Sequence, residues 1–189
     1  MQYLARTHGE EKVYRKASDF PKLETERLAL RAITPDDRFA IFENYSNPDV
    51  AEWFFDKAFT QVEQVDQVIQ EFIGKTTEGK GLAWAIVLKE TDEFVGTCSY
   101  ENFKAEGQGE IGFDLAKKHW GHGYMTEALG AIITYGFAVL GLASIEAHTY
   151  SRNARARQVL ERLGFRVDAI REDSHCYKLA RTEWMGIRR

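Results

Sequence analysis

Two glycines separated by one residue mark the stretch of this chain whose chemistry is easiest to interpret. Gly121 and Gly123 lie between a segment in which Ile111, Phe113 and Leu115 are apolar at alternate positions and a longer amphipathic segment. Alternation predicts a strand, and apolar residues at i, i+3 and i+4 predict a helix. A strand that leads through glycines into a helix leaves backbone N–H groups free at the positive end of the helix dipole. Such a helix start binds anions, and phosphates in particular.

The elements that must position this stretch indicate a mixed α/β protein. The predicted strands are residues 28–33, 82–89, 93–100, 110–115, 144–150, 165–171 and 176–187, and the predicted helices follow Thr34, Thr60, Gly123 and Asn153. A polar loop is expected from Glu101 to Gly109. Residues 1–22 mix charges without periodicity, so we expect an N-terminal extension followed by a single domain over residues 23–189.

Length and composition fit one soluble globular domain. The chain has 189 residues, 44% hydrophobic and 29% charged, which is typical of a protein with a packed core. No apolar run approaches the roughly 20 residues that span a bilayer, and the N-terminus lacks the apolar region of a secretory signal. We therefore expect a cytoplasmic protein without a membrane partner. Cys98 and Cys176 have no metal-ligand spacing, so neither a disulfide framework nor a metal site is predicted.

Charge is distributed unevenly along the chain. From Asp36 to Glu78 there are ten acidic and three basic residues, whereas from Leu115 to the C-terminus there are twelve basic and seven acidic ones. The second region favours a ligand that carries phosphates, and the first favours a cationic ligand. The net charge of −4 and the absence of a basic aromatic face argue against nucleic-acid binding.

Four sequence blocks together resemble the GNAT superfamily of acetyl-CoA-dependent N-acetyltransferases. Residues 118–123 (Lys-His-Trp-Gly-His-Gly) are similar to the family's Gln/Arg-x-x-Gly-x-Gly/Ala signature, and residues 120–128 have the Trp-Gly-x-Gly-Tyr-x-x-Glu-Ala form of its RimJ/RimL-type branch. Residues 23–31, 110–113 and 153–165 resemble that branch's opening block, fourth strand and Asn-(x)n-Leu-Gly-Phe block. The resemblance covers residues 23–187.

The resemblance implies a GNAT-type fold and acetyl-CoA as co-substrate, with no metal. The fold has a central, mostly antiparallel sheet of about seven strands with one splayed parallel pair, flanked by about four helices. The positions that match the family's cofactor-binding residues are Phe113, Asp114, Leu115, Lys118, Gly121, His122, Gly123, Tyr124, Met125 and Asn153. Two of these have an alternative interpretation: Lys118 also fits a surface lysine, and Asn153 also fits a helix N-cap.

An acceptor amine must lose a proton before it attacks a thioester. Glu110 matches the position at which several members of the family carry a general base or a carboxylate that relays through water. Glu101 is the second candidate, and an exposed position at the strand edge is the alternative interpretation of Glu110. The resemblance further implies direct attack between the fourth and fifth strands, with a backbone N–H near Phe113 polarising the carbonyl.

The proton donor to the departing thiolate is not at its usual place. The family's Ser and Tyr positions hold Ala156 and Leu160 in this chain. We take Tyr150 as the replacement acid, with Ser151, Tyr177 and water as alternatives.

The acceptor amine and the assembly remain open at this stage. A protein N-terminus, a polyamine and an aminoglycoside-like amine all fit, and so do a monomer and a homodimer. Trp53, Phe54 and Phe55 fit either an acceptor pocket or core packing. A non-catalytic acyl-CoA-binding or regulatory protein is the alternative function, because the usual acid is missing.

Overall fold

The computed structural model describes residues 3–7, 10–14 and 20–187. The strands in these residues are β1 (Tyr3–Thr7), β2 (Glu10–Tyr14), β3 (Leu23–Glu24), β4 (Leu28–Ala32), β5 (Leu82–Leu88), β6 (Phe94–Lys104), β7 (Gln108–Leu115), β8 (Ser144–Tyr150), β9 (Arg166–Ile170) and β10 (Ser174–Ala180). The helices are α1 (Arg38–Tyr45), α2 (Pro48–Ala51), α3 (Gln64–Thr77), α4 (Tyr124–Ala138), α5 (Ala154–Arg162) and α6 (Arg181–Ile187). None of the helices in these residues is long and apolar enough to cross a membrane.

Eight of the strands form one sheet in the order β3-β4-β5-β6-β7-β8-β10-β9. Its neighbours pair antiparallel except for β7 and β8, which run parallel. The parallel pairing joins residues 108–111 to residues 144–147. Beyond it the two strands separate, because residues 112–115 of β7 pair only with β6. The expected sheet with a splayed parallel pair is confirmed, with one more strand and two more helices than expected.

Helices cover both faces of the sheet and create two cores. On one face α4 buries Leu129 and Ile133 against the sheet. On the other face α1 and α3 contribute Ile41 and Val65. The apolar stripe predicted for the helix after Gly123 is buried as expected.

Helix α4 is held close to the sheet near its C-terminal end. The Tyr100 hydroxyl donates a hydrogen bond to the Ile132 carbonyl at 2.8 Å. A Cβ atom at Gly136 would lie 1.9 Å from that hydroxyl oxygen. Glycine is therefore required at this position for the helix to pack at its observed distance.

The prediction of a loop from Glu101 to Gly109 was wrong. Strand β6 continues to Lys104, β7 begins at Gln108, and only residues 105–107 form the turn. The segment is polar because its strands carry exposed side chains such as Asn102, while Phe103 packs on the core. Polarity alone therefore misled the prediction.

The prediction of a strand from Cys176 to Ile187 was wrong beyond Ala180. The chain turns into α6, whose Glu183 side chain accepts a hydrogen bond from the Ala180 backbone N–H at 3.0 Å. Helix α6 places Trp184 in the core. In the N-terminal extension, β1 and β2 form a separate antiparallel hairpin where no element was predicted, and the other residues of that extension up to residue 19 lie outside the described ranges.

Candidate functional site

A cleft of about 360 Å³ opens where β7 separates from β8. Its walls are the end of β7, the start of α4, one face of α5 and the segment after α2. Most of the predicted cofactor residues line it, namely Phe113, Asp114, Leu115, Gly121, Gly123, Tyr124, Met125 and Asn153. The structure therefore brings together residues that the sequence could only group by resemblance.

The glycine turn at the mouth of α4 has the geometry of an anion site. Gly121 and Gly123 both have φ of +80°, a conformation that side chains other than glycine's disfavour. A Cβ at Gly121 would meet nothing within 4 Å, and one at Gly123 would meet only Arg27 Nη2 at 3.6 Å. Within the described chain, the backbone N–H groups of residues 121–126 have no hydrogen-bond acceptor. Open space and free donors at a helix N-terminus fit a pyrophosphate.

A side-chain brace fixes this turn from outside the cleft. Glu127 accepts hydrogen bonds from Thr25 Oγ1 at 2.6 Å, from the Arg27 backbone N–H at 2.8 Å and from Arg27 Nε at 2.7 Å. Arg27 also donates to the His122 carbonyl at 3.0 Å and lies 4.5 Å from the centre of the Tyr124 ring. The block around Thr25 and the glycine block are thus one physical unit.

The ionisation of Glu127 suits this role. Burial alone would raise the pKa of Glu127, but hydrogen bonds from Thr25 and Arg27 together outweigh it and hold that pKa below its ordinary value. The carboxylate therefore stays charged and keeps the brace closed near neutral pH.

Two arginines of α5 add positive charge to the cleft. Arg155 and Arg162 line it, and the Arg155 guanidinium lies 4.4 Å from the centre of the Trp120 ring. Among the described residues, neither arginine forms an ion pair with a carboxylate. Sequence reasoning missed both, although their spacing of seven residues, with Gln158 and Val159 between, already indicates one helix face.

Asn153 caps a helix at the edge of the cleft. Its side-chain oxygen accepts a hydrogen bond from the Ala156 backbone N–H at 3.1 Å, which makes it the N-cap of α5. The residue also lines the cleft, as does Ala156, whereas Leu160 is buried in the core. Neither Ala156 nor Leu160 has a side chain that can donate a proton, so neither can supply the acid that the resemblance implies there.

The two candidate bases lie on the sheet face opposite α4. The Glu101 carboxylate pairs with Lys75 and accepts a hydrogen bond from the Ser99 hydroxyl. A Cβ at Gly112 would lie 3.0 Å from Glu101 Oε1, so this carboxylate sits directly beside the point where β7 leaves β8. The Glu101 carboxylate is therefore paired rather than free.

Glu110 lies two residues before Gly112 on β7, where β7 and β8 are still paired. Its Oε2 atom is 3.2 Å from Lys104 Nζ, and its Oε1 atom is 4.0 Å from His148 Nε2. Glu110 does not line the cleft itself, but it occupies the same sheet face as Glu101.

Asp114 combines a backbone at the cleft with a buried side chain. Its carboxylate accepts hydrogen bonds from Asn44, Tyr45 and Thr97, so it ties α1 to β6 and β7. Burial raises the pKa of Asp114 to about 6, although the hydrogen bonds from Thr97, Tyr45 and Asn44 act in the opposite direction. This carboxylate acts as a structural link between the helix and the strands.

The remaining predicted residues lie around the cleft rather than in it. Tyr150 is 46% exposed at the end of β8, with its ring 6.4 Å from that of Trp53. The Tyr177 hydroxyl donates to Glu161 at 2.9 Å and accepts from Arg157 at 3.3 Å, so α5 already occupies it. Of the three hydroxyl candidates, Tyr177 is thus already engaged, and we retain Tyr150, with Ser151 as the alternative.

Two predicted cofactor residues, Lys118 and His122, are not among those that line the cleft. Lys118 Nζ lies 2.8 Å from Glu93 and 3.5 Å from Glu43, which raises the pKa of this lysine. His122 is exposed, with its ring stacked on Tyr124 at 5.7 Å between centroids. The structure therefore gives the His122 imidazole no contact with the cleft lining other than Tyr124.

The aromatic cluster after α2 divides between the cleft and the core. Trp53 and Phe54 line the cleft, whereas Phe55 packs between Tyr45 and Phe59 at centroid distances of 5.0 Å and 4.5 Å. Core packing is therefore confirmed for Phe55, whereas an acceptor pocket at Trp53 and Phe54 stays a prediction.

The acidic surplus of residues 36–78 is partly balanced by cations from the basic region. Glu43 pairs with Lys118, Asp49 with Lys117, and Glu52 with Arg152. Those carboxylates therefore join the two parts of the chain and do not by themselves create a free cation-binding surface.

Comparison with known proteins agrees with this geometry. The model of an acetyltransferase (GNAT) domain matches residues 27–166. A protein from Bacillus licheniformis named as the uncharacterized N-acetyltransferase p20 is 36% identical over 152 residues, covering 80% of this chain and 85% of the relative.

Two solved structures share the fold. An acetyltransferase of the GNAT family from Bacillus anthracis matches with a TM-score of 0.78 at 24% identity, covering 86% of this chain and 100% of that one. A spermidine N-acetyltransferase from Vibrio cholerae in complex with CoA and spermine matches with a TM-score of 0.72 at 16% identity, covering 85% and 99%. At these identities the similarity establishes the fold alone.

Proposed function

Because this chain belongs to the GNAT acetyltransferase family, we propose that it is an acetyl-CoA-dependent N-acetyltransferase of the RimJ/RimL type. The observation that carries the proposal is the glycine turn at the start of α4. Free N–H groups, open space at Gly121 and Gly123, and nearby arginines at one cleft meet the requirements of a CoA pyrophosphate. The cleft also ends where two parallel strands separate, which gives a thioester and an amine a place to meet.

The cofactor would be held mainly by backbone groups. Residues 121–125 would donate N–H groups to the pyrophosphate, with Arg155 and Arg162 adding positive charge. The edge of β7 from Phe113 to Leu115 would pair with the pantetheine amides, since this edge has no strand partner on the β8 side. One of its carbonyls, that of Leu115, already accepts a hydrogen bond from Trp120 Nε1 at 2.8 Å.

The catalytic steps would use side chains on the sheet face opposite α4, near the point where β7 and β8 separate. We propose Glu110 as the group that takes the proton from the acceptor amine, with Glu101 as the competing candidate because it lies closer to Gly112. A backbone N–H near Phe113 would polarise the thioester carbonyl. Tyr150 would protonate the departing thiolate, since α5 occupies the hydroxyl of Tyr177.

The acceptor is proposed to be a primary amine presented beside Trp53 and Phe54. A peptide N-terminus, a polyamine and an aminoglycoside-like amine remain the candidates, and the structural relative crystallised with spermine supports including polyamines. Both cysteines are free thiols, which fits the reducing cytoplasm as the place of the reaction.

A second candidate function is CoA binding without turnover. It is favoured by one observation, the apolar Ala156 and Leu160 at the positions where the resemblance implies an acid. One experiment separates the two functions. The purified protein is titrated with CoA by calorimetry and then assayed for thiol release from acetyl-CoA against peptides, polyamines and aminoglycosides.

We expect CoA binding and acceptor-dependent thiol release with at least one amine class. CoA binding without release from any acceptor would refute acetyl transfer and favour the binding function. No CoA binding at all would refute both.

A further inference from the structure

A second group of potential ligand atoms lies outside the cleft, on the sheet face opposite α4. Glu146 and His148 are two residues apart on β8 and so project to the same face. Cys176 of β10 is directly opposite His148 in the antiparallel pair. A carboxylate oxygen, an imidazole nitrogen and the thiol sulfur from these three residues all lie within 4.8 Å of one another.

We propose that Glu146, His148 and Cys176 form a binding site for a thiophilic divalent cation such as Zn²⁺. Sulfur, nitrogen and oxygen from these side chains are the donor set that zinc prefers. A tetrahedral zinc ion with the usual bond lengths holds its sulfur and nitrogen ligands about 3.6 Å apart. The observed distance from His148 Nε2 to Cys176 Sγ is 4.0 Å, so an adjustment of less than an ångström brings this pair to the zinc distance, and a carboxylate oxygen of Glu146 lies within 4.8 Å of both atoms.

The charged side chains around the site decide which groups compete with the metal for Glu146 and what the fourth metal ligand is. Lys104 Nζ lies 2.9 Å and Lys178 Nζ 3.4 Å from the Glu146 carboxylate, so these lysines balance its charge when no metal is bound. Their side chains are 40% and 34% exposed, which lets the ammonium groups move into solvent as the cation takes their place. Glu110, whose Oε1 atom lies 4.0 Å from His148 Nε2, is paired with Lys104 and stays outside the coordination, so water is the fourth ligand.

A search for sequence motifs does not find this site, because its metal-ligand residues come from two strands. Cys176 is separated from His148 by 28 positions along the chain, and sheet pairing alone brings them together. The other cysteine, Cys98, is buried in the core and belongs to no such cluster among the described residues. Cys98 therefore provides a matched control for thiol chemistry.

The test uses Co²⁺ as a spectroscopic probe of the full-length protein, reduced with a phosphine. Binding through the thiolate of Cys176 is expected to produce a sulfur-to-cobalt charge-transfer band in the near ultraviolet, which saturates at one equivalent and is abolished by Zn²⁺. Cys98→Ser should keep the band and Cys176→Ser should lose it. Zn²⁺ affinity, measured by competition with a chromophoric chelator, should fall more than about 100-fold in Cys176→Ser, beyond the loss expected for an outer-sphere group.

His148→Gln provides a second variant at an exposed position, so its folding is not in question. It should also weaken Zn²⁺ binding more than about 100-fold, as expected for a direct ligand. Far-ultraviolet circular dichroism verifies that each variant is folded. The proposal is overturned if the wild type gives no thiolate band, if the band survives in Cys176→Ser, or if His148→Gln binds Zn²⁺ as the wild type does. None of these measurements involves CoA or an acceptor, so they are independent of acetyl transfer.

Discussion

The two faces of β7 near its end are built on different principles. Toward α4 and α5, the cleft presents backbone N–H groups at Gly121 and Gly123, shaped by glycine conformation and braced by Glu127. Toward α1 and α3, β7 and its neighbour β6 present ionisable side chains that have partners from distant elements: Glu101 of β6 pairs with Lys75, and Asp114 of β7 with groups of α1 and β6.

This difference explains which half of the site can be read from a sequence. Phosphate recognition by backbone groups leaves a local signature, because glycines must occur at fixed positions next to a helix start. Proton transfer depends on which charged groups surround a carboxylate, and those groups are chosen by tertiary packing. The following predictions test whether the two faces really divide cofactor binding from proton transfer, from the largest expected effect to the smallest.

Removing the base should reduce turnover without changing cofactor affinity. Glu110→Gln is expected to lower kcat/KM for the acceptor by roughly 10²- to 10⁴-fold, the usual contribution of a general base, while the Kd for CoA stays unchanged. Activity that remains should rise with pH as the acceptor amine loses its own proton. Glu101→Gln, assayed in parallel, is the matched comparison. If only Glu101→Gln causes the loss, the base is Glu101, and if neither does, the division of roles fails.

The buried Asp114 should make stability depend on pH. Its pKa of about 6 when folded lies above the ordinary value near 3.9, so the folded state holds this proton more tightly than the unfolded state. The stability from this group is fully present below about pH 4 and is lost as pH rises through 6. Relative to Asp114→Asn, the wild type should lose roughly 2 kcal/mol of unfolding free energy between about pH 4 and pH 7.

Urea denaturation of both proteins at several pH values measures this difference, with Asp49→Asn at an exposed ion pair as the control. A gap between wild type and Asp114→Asn that is constant with pH would mean that the carboxylate is not buried as described.

Altering the glycine turn should weaken the cofactor without touching proton transfer. In a Gly121→Ala/Gly123→Ala double variant, each left-handed position costs roughly 1–2 kcal/mol with a side chain present. The Kd for CoA should therefore rise at least about 30-fold. Gly74→Ala is the control, because it lies in α3 with nothing within 4 Å of its added Cβ. Unchanged CoA affinity in the double variant would contradict a pyrophosphate site at the turn.

Loosening the brace should have the smallest effect on the cofactor. Glu127→Gln replaces charge-assisted hydrogen bonds to Arg27 with weaker ones, and we expect about a tenfold rise in the Kd for CoA, corresponding to roughly 1.4 kcal/mol. Glu24→Gln, which removes a carboxylate from an exposed pair with Lys89, should leave the Kd as it is. Equal behaviour of the two variants would show that the brace does not position the turn.

Local patterns predicted most of the fold. The strand Ser144–Tyr150 and the helix after Asn153 begin where the sequence indicated, since alternation and an N-cap are local signals. The prediction failed where polarity resembled that of a loop, as in residues 101–104. It also failed where a local helix cap went unrecognised, as with Glu183, which accepts a hydrogen bond from the Ala180 backbone N–H three residues earlier. Within the candidate site, Arg155 and Arg162 were missed because their role depends on which face of α5 meets the cleft.

Gly136 connects packing in the core to ligand binding at the far end of the same helix. It allows the Tyr100 hydroxyl to reach the backbone of α4, and at about 1.5 Å per residue it lies roughly 20 Å from Gly123. A helix of this length moves as a stiff body, so its tilt at the sheet decides where its first turn points. A larger side chain at Gly136 would register in an assay as reduced affinity for the cofactor, although it lies far from the ligand.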